Sequence, residues 1–129
     1  MIQSQARFSA DLQNFVRTTK SDAVTLQRVV SIQVLTGVVK RTPVDTGRAR
    51  GSWQLDVSDN LPSPTQRIDS TGEQTINKGM ATLGFLTFGR IVRISNTVEY
   101  IGFLEDGSSS QAPNGMVSVT LNEVGAQFR

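Results

Sequence analysis

The sequence predicts an α+β domain: a long N-terminal helical region packed on a small, mainly antiparallel sheet, with a second short helix and a protruding polar loop. Three observations carry that expectation. Residues 5–19 and 22–40 hold apolar side chains at helical spacing and stop before Pro43. Residues 51–59, GSWQLDVSD, alternate apolar and polar side chains with the period of a half-buried strand. At 129 residues the chain suits one domain with a single modest core, so residues 1–129 read as one structural unit.

Phe8, Leu12 and Phe15 recur at spacings of four and three, with Ser4 and Ser9 as possible start residues. Ser21 can cap a second run through its hydroxyl, with Leu26, Val29, Val30, Val34, Val38 and Val39 as its buried stripe. The two runs also fit one long bent helix. Pro43 lacks an amide hydrogen and disfavours a helical Thr42, so the helix should stop near Lys40 or Arg41. In the turn that follows, VDTG, Asp45 is the expected acceptor for a backbone amide and Gly47 the residue for a positive φ.

Trp53, Leu55 and Val57 then form the inner face of a strand, and Trp53 reads as a core residue. Residues 58–72 carry two prolines and almost no large apolar groups, which predicts an exposed loop or arm. A short helix follows, with Ile76, Met80 and Leu83 inward and Gly84 as its stop. A strand comes next, packing Ile91 or Val92 together with Ile94, and Asn96 starts a turn. Tyr100 and Phe103 are expected to hold down the loop after it. For the C-terminal segment, a strand over Met116–Leu121 and a terminal helix fit the periodicity equally.

Composition excludes several function classes. Cysteine and histidine are both absent, which removes disulfides, thiolate metal sites and the commonest serine triad. FLEDGSSS places Glu105 and Asp106 beside serines, but adjacent carboxylates diverge and do not face each other across a substrate. No catalytic residue, cofactor or metal ligand is therefore expected. The first residues lack the pattern of a signal peptide and no stretch approaches a membrane span, so synthesis in the cytoplasm is expected.

Charge is uneven along the chain. Residues 1–54 hold eight basic against three acidic side chains, and residues 55–129 hold five against eight, giving +5 and −3. Lys40, Arg41, Arg48 and Arg50 cluster around one turn and could contact phosphates without reading sequence. A free nucleic-acid-binding protein is thus one reading. The other is that these arginines pair with Glu99, Glu105 or Asp106, within a subunit or between subunits whose faces are complementary.

Two segments carry a family resemblance. TPVDTGRARGSWQ at 42–54 resembles the signature that ends the N-terminal helix in the neck and tail-completion, or head-tail joining, proteins of long-tailed bacteriophages, a family that includes the lambda tail-completion protein Z. NTVEYIGFLEDGSSSQAPNGMVSVTL at 96–121 is similar to that family's second signature: an asparagine and tyrosine, an acidic residue and glycine, then Ser and Gln before Ala-Pro. Ala49 stands where relatives more often carry a larger aliphatic residue.

The resemblance implies a virion protein without enzymatic activity, located where tail meets head. It implies a homo-oligomeric ring of about six subunits. Its expected partners are neighbouring neck proteins, such as a head-closure or connector protein and a tail terminator or tail tube protein, with viral DNA passing non-specifically through the lumen and no membrane. The residues it marks are Pro43, Asp45, Thr46, Gly47, Arg48 and Trp53 in the first signature. In the second they are Tyr100, Glu105, Gly107, Ser108, Gln111, Ala112 and Pro113. Lys40, Arg41, Arg48 and Arg50 are the candidates for facing DNA.

Overall fold

The computed structural model describes residues 2–58 and 67–128. Its dominant element is one helix, α1 (Ile2–Arg41), of 40 residues. Ser21 starts no helix; Thr19 and Thr25 lie within α1 and donate their hydroxyls to the carbonyls of Phe15 and Ser21. At a rise of about 1.5 Å per residue, α1 is on the order of 60 Å long, far more than the rest of the domain can cover. Residues 6–23 are all exposed, and burial begins only in the C-terminal half.

That half packs through Ser31, Leu35, Val38 and Val39, all buried, while Leu26 and Val29 face outward. The expected stripe is therefore rotated. Its sequence signal was ambiguous because Val29, Val30, Val38 and Val39 form adjacent pairs, and only one member of the first pair is even half-buried.

After α1 come α2 (Arg48–Gly51), β1 (Trp53–Asp56), α3 (Glu73–Leu83), β2 (Arg93–Asn96), α4 (Ile101–Glu105) and α5 (Val117–Ala126). The fold is α+β, as the residues predict. β1 and β2 pair antiparallel, with Trp53 opposite Asn96 and Leu55 opposite Ile94. Trp53 and Leu55 point into a core shared with Leu35, Val38 and Val39 of α1 and with Leu83, Leu86, Ala112 and Met116. The C-terminal segment is the helix of the two readings, not the strand, and Thr120 and Val124 are its buried residues.

Two expectations change in detail, for α3 and for the arm, and one open choice, between Ile91 and Val92, is resolved. α3 buries Thr75, Gly79 and Leu83 and leaves Met80 exposed, because glycine lets Leu35 of α1 approach the helix backbone closely. In the segment before β2, Ile91 is exposed while Val92 and Ile94 pack on the core. Of the expected arm, residues 59–66 lie outside the described residues, but Asp69 and Gly72 are buried. The Asp69 carboxylate accepts the amide hydrogens of Gly72 at 3.0 Å and Thr75 at 2.9 Å, together with the Thr75 hydroxyl at 2.8 Å. It satisfies the otherwise unpaired N–H groups that open α3. Burial opposes ionisation of Asp69, yet these hydrogen bonds outweigh it and hold its carboxyl below the ordinary aspartate value.

The segment after α3 is tied back to α1 by side chains of that helix. Arg28 donates to the carbonyls of Leu83 at 3.1 Å and Leu86 at 3.2 Å, and Gln27 to that of Arg90 at 2.9 Å. Arg28 thereby closes the C-terminal end of α3, where carbonyls lack helical partners.

Candidate functional site

The first signature begins where α1 ends. Thr42 continues the helix for one more amide, donating to Val38 and Val39 at 3.1 and 3.2 Å, and Pro43 then stops it. The buried Thr42 hydroxyl donates to the Val38 carbonyl at 2.6 Å and accepts the Trp53 indole N–H at 2.7 Å. Trp53 is thus a core residue with its one polar atom satisfied. Gly47 turns the chain at φ 89°, and a Cβ there would press on the backbone of Ser70. The Thr46 hydroxyl, and not the Asp45 carboxylate, accepts the Arg48 amide at 3.3 Å; Asp45 is exposed.

Arg50 has a structural task. Its guanidinium donates to the carbonyls of Thr42 at 2.9 Å, Lys40 at 3.0 Å and Ser70 at 2.8 Å. Two of these are carbonyls that the end of α1 leaves unpaired, and a cation there also suits the negative end of the helix dipole. Arg50→Ala should lower stability by about 2 kcal/mol, the order expected when charged hydrogen bonds to partly buried carbonyls are lost. A thermal melt of the variant beside Arg50→Lys would read it, since lysine restores the charge without the fork.

The second signature opens with Asn96, whose side-chain oxygen accepts the Val98 amide at 3.0 Å, the expected turn. Its amide group donates to the Ala49 carbonyl at 2.8 Å, joining it to the first signature. Tyr100, just before α4, and Leu104 within it are half-buried, but Phe103 is 69% exposed and anchors none of the described residues. Gly107 reverses direction at φ 90°, and the Pro113 carbonyl occupies the space a side chain would need. Ala112 is buried in the core, while Ser108 and Pro113 are exposed.

Glu105 is neither paired with the basic turn nor set for acid chemistry. Its carboxylate accepts the amides of Met116 and Val117, both at 2.8 Å, the amide of Ser118 at 3.0 Å and the Ser118 hydroxyl at 3.1 Å. It lies at the N-terminus of α5, where free N–H groups and the helix dipole favour an anion. Burial alone would raise its pKa, but the bonds from Val117, Ser118 and Met116 prevail and hold it below the ordinary glutamate value.

Arg48 pairs instead with Glu99 through two parallel bonds of 3.2 and 3.0 Å, and lies 5.8 Å from the centre of the Tyr100 ring. The hydrogen bond and charge of Glu99 raise the Arg48 pKa. Glu99 is lowered by its own backbone amide and then by Arg48. The Gln111 side chain meets Val44 on both sides, accepting its amide at 3.0 Å and donating to its carbonyl at 3.3 Å. This is strand-like pairing made by one side chain. Between the segments lies a cleft of about 460 Å³ lined by Pro43, Val44, Arg48, Tyr100, Leu104 and Gln111, among others.

Three of the four basic candidates are engaged within the chain: Arg48 and Arg50 as above, and Arg41 with the Thr120 hydroxyl at 3.0 Å and with the Glu123 carboxylate. Lys40 is exposed. Among the described residues no three acidic side chains converge to hold a metal ion, and no helix is long and apolar enough to cross a membrane. Asp69, Arg28 and Asn96 are position-setting residues outside the marked set. DSTGE carried the signal for the first, an Asp three residues before the glycine that opens a helix.

No family model, no curated protein and no solved structure matches this chain.

Proposed function

We propose that this chain is a non-enzymatic virion structural protein of the phage neck or tail-completion region, forming an oligomeric ring that joins tail to head around the DNA path. The observation that carries the reading is the direct contact between the two segments that resemble the family's signatures. Val44 with Gln111, Arg48 with Glu99 and Ala49 with Asn96 join residues about 50 or more positions apart into one surface. In the second signature Gln111 bonds the first segment, Glu105 holds the start of α5, Gly107 makes a turn and Ala112 fills the core.

Such a joint works by shape. Fixed turns, an arginine covering the end of α1 and a glutamate holding the start of α5 give a rigid surface for a heterologous contact, in which one face meets a different face on the next copy. The partners on this reading are further copies of the chain, a connector or head-closure protein on one side and a tail terminator or tube protein on the other. DNA in the lumen would meet exposed Lys40 and the outer edge of Arg48, few contacts and all non-specific.

Electron cryomicroscopy of assembled particles tests this. The expected result is a ring of this chain between head and tail. Density for it only on the capsid exterior, or its absence from particles, overturns the reading. Tight duplex binding by the isolated chain, lost steeply with added salt, would favour the nucleic-acid-binding alternative.

A further inference from the structure

The N-terminal half of α1 presents an apolar stripe to solvent. Phe8, Leu12, Phe15 and Val16 share one side of the helix, and the two phenylalanines are 69% and 68% exposed. A second exposed apolar group lies on the body: Met80, Phe85, Phe88 and Ile91, with Phe85 at 79%. The second group lies beside the base of the arm, because Arg28 holds Leu83 and Leu86, Gln27 holds Arg90, and the Lys20 ammonium sits 5.3 Å from the Phe88 ring. Val29 continues it, lining with Met80 and Leu83 a shallow apolar cleft of about 380 Å³.

The two groups cannot cover each other within one chain. α1 is unbroken from Ile2 to Arg41, so the arm points away from the patch at its own base. Exposed apolar surface on this scale marks an interaction site, and the occupant that fits is a second copy, which supplies both halves of the contact. We propose that the N-terminal half of α1 is a docking arm whose Phe8, Leu12, Phe15 and Val16 lie on the Met80, Phe85, Phe88 and Ile91 patch of the next copy. The proposal deepens the ring reading and rests on it for closure of the copies into a ring.

Area supports this choice. Each aromatic side chain can bury roughly 150–250 Å², so the two phenylalanines on each surface supply up to about half of the ~800 Å² per partner of a standard interface, and the exposed aliphatic side chains beside them add to it. A coiled coil between two arms is the competing arrangement. It would extend the 8, 12, 15 spacing to positions 19 and 22, which are Thr19 and Asp22. Such a seam would bury a carboxylate without a partner. Docking arm on patch leaves both outside the contact.

Complementation between variants of the full chain tests the direction of the contact by analytical ultracentrifugation. An arm variant, Phe8→Ala with Phe15→Ala, keeps good helix formers in α1. A patch variant, Phe85→Ser with Ile91→Ser, changes two exposed side chains outside any helix. Far-ultraviolet circular dichroism is expected to match the parent for both. The parent chain should sediment as an oligomer and each variant alone as a monomer. An equimolar mixture should form a species of two chains, because one variant keeps its patch and the other its arm. A monomeric parent, a mixture that stays monomeric, or a patch variant that still assembles through its arms overturns the proposal. A monomeric chain that nonetheless sits in a neck ring would sink the arm and spare the neck reading; arm-dependent assembly by a chain absent from particles would do the reverse.

Discussion

Trp53→Ala is expected to destabilise the domain by about 3–5 kcal/mol, the cost of emptying a large aromatic site in a packed core. Trp53 is 5% exposed and packs with Leu35, Val38 and Leu83, so its removal opens a cavity at the junction of α1, β1 and α3. A second loss adds to the first. The indole N–H is the donor to the Thr42 hydroxyl, and that hydroxyl in turn donates to Val38 at the end of α1. A domain of this size is typically stable by only about 5–15 kcal/mol, so the variant should be partly unfolded at physiological temperature. Trp53→Phe separates the two effects: it retains most of the volume and loses only the hydrogen bond, worth about 1 kcal/mol. Urea denaturation followed by circular dichroism reads both, since Trp53 is the only tryptophan and its fluorescence disappears with it. If the Phe variant were as unstable as the Ala variant, the chain of bonds to Thr42 and Val38 would outweigh the packing.

The elements that could be read in advance were those fixed by local chemistry. The stop of α1 at Arg41 follows from Pro43, the turn at Gly47 from its need for positive φ, and β1 from its alternation. What could not be read was which face of a helix is covered. Phe8, Leu12 and Phe15 have the spacing of a buried stripe, yet none of the described residues covers them, because the rest of the domain packs on the C-terminal half of α1. Period alone reports that one side of a helix is apolar and leaves open whether the cover comes from the same chain. Met80 fails for a different reason. Gly79 beside it has no side chain to register in a hydrophobic pattern, though it is the position that touches Leu35.

In the candidate site, residue types pointed to the right neighbourhood and left the choice among partners open. Arg48 does find a carboxylate, and it is Glu99, not Glu105 or Asp106. Glu105 is half-buried and bonded to the amides that open α5, which were invisible while the C-terminal segment could still be strand or helix. Once that segment is a helix, an anion at its start is favoured, and Glu105 supplies it. Arg50 was grouped with the basic cluster by charge alone; its position beyond the end of a helix, where carbonyls lack donors, was the better guide.

Glu105→Gln should cost about 2 kcal/mol at neutral pH, because an amide keeps one acceptor oxygen and turns N–H donors toward backbone N–H groups. Its pH dependence is the sharper readout. The folded pKa of Glu105 is lowered, so its contribution is fully present above the unfolded value of about 4.3 and is lost as pH falls through the folded value. Asp69, lowered by its bonds to the start of α3, acts with the same sign. The parent chain should therefore weaken as pH drops below about 5. In Glu105→Gln the weakening should be shallower, with Asp69 and Glu99, whose folded pKa values are also lowered, as remaining sources. The stability difference between parent and variant should thus be greatest at pH 7 and shrink through acid titration, as followed by urea denaturation at each pH. A difference that stayed constant down to pH 3 would mean that the shape of residue 105, and not its charge, seats α5 against Gly37 and Arg41 of α1.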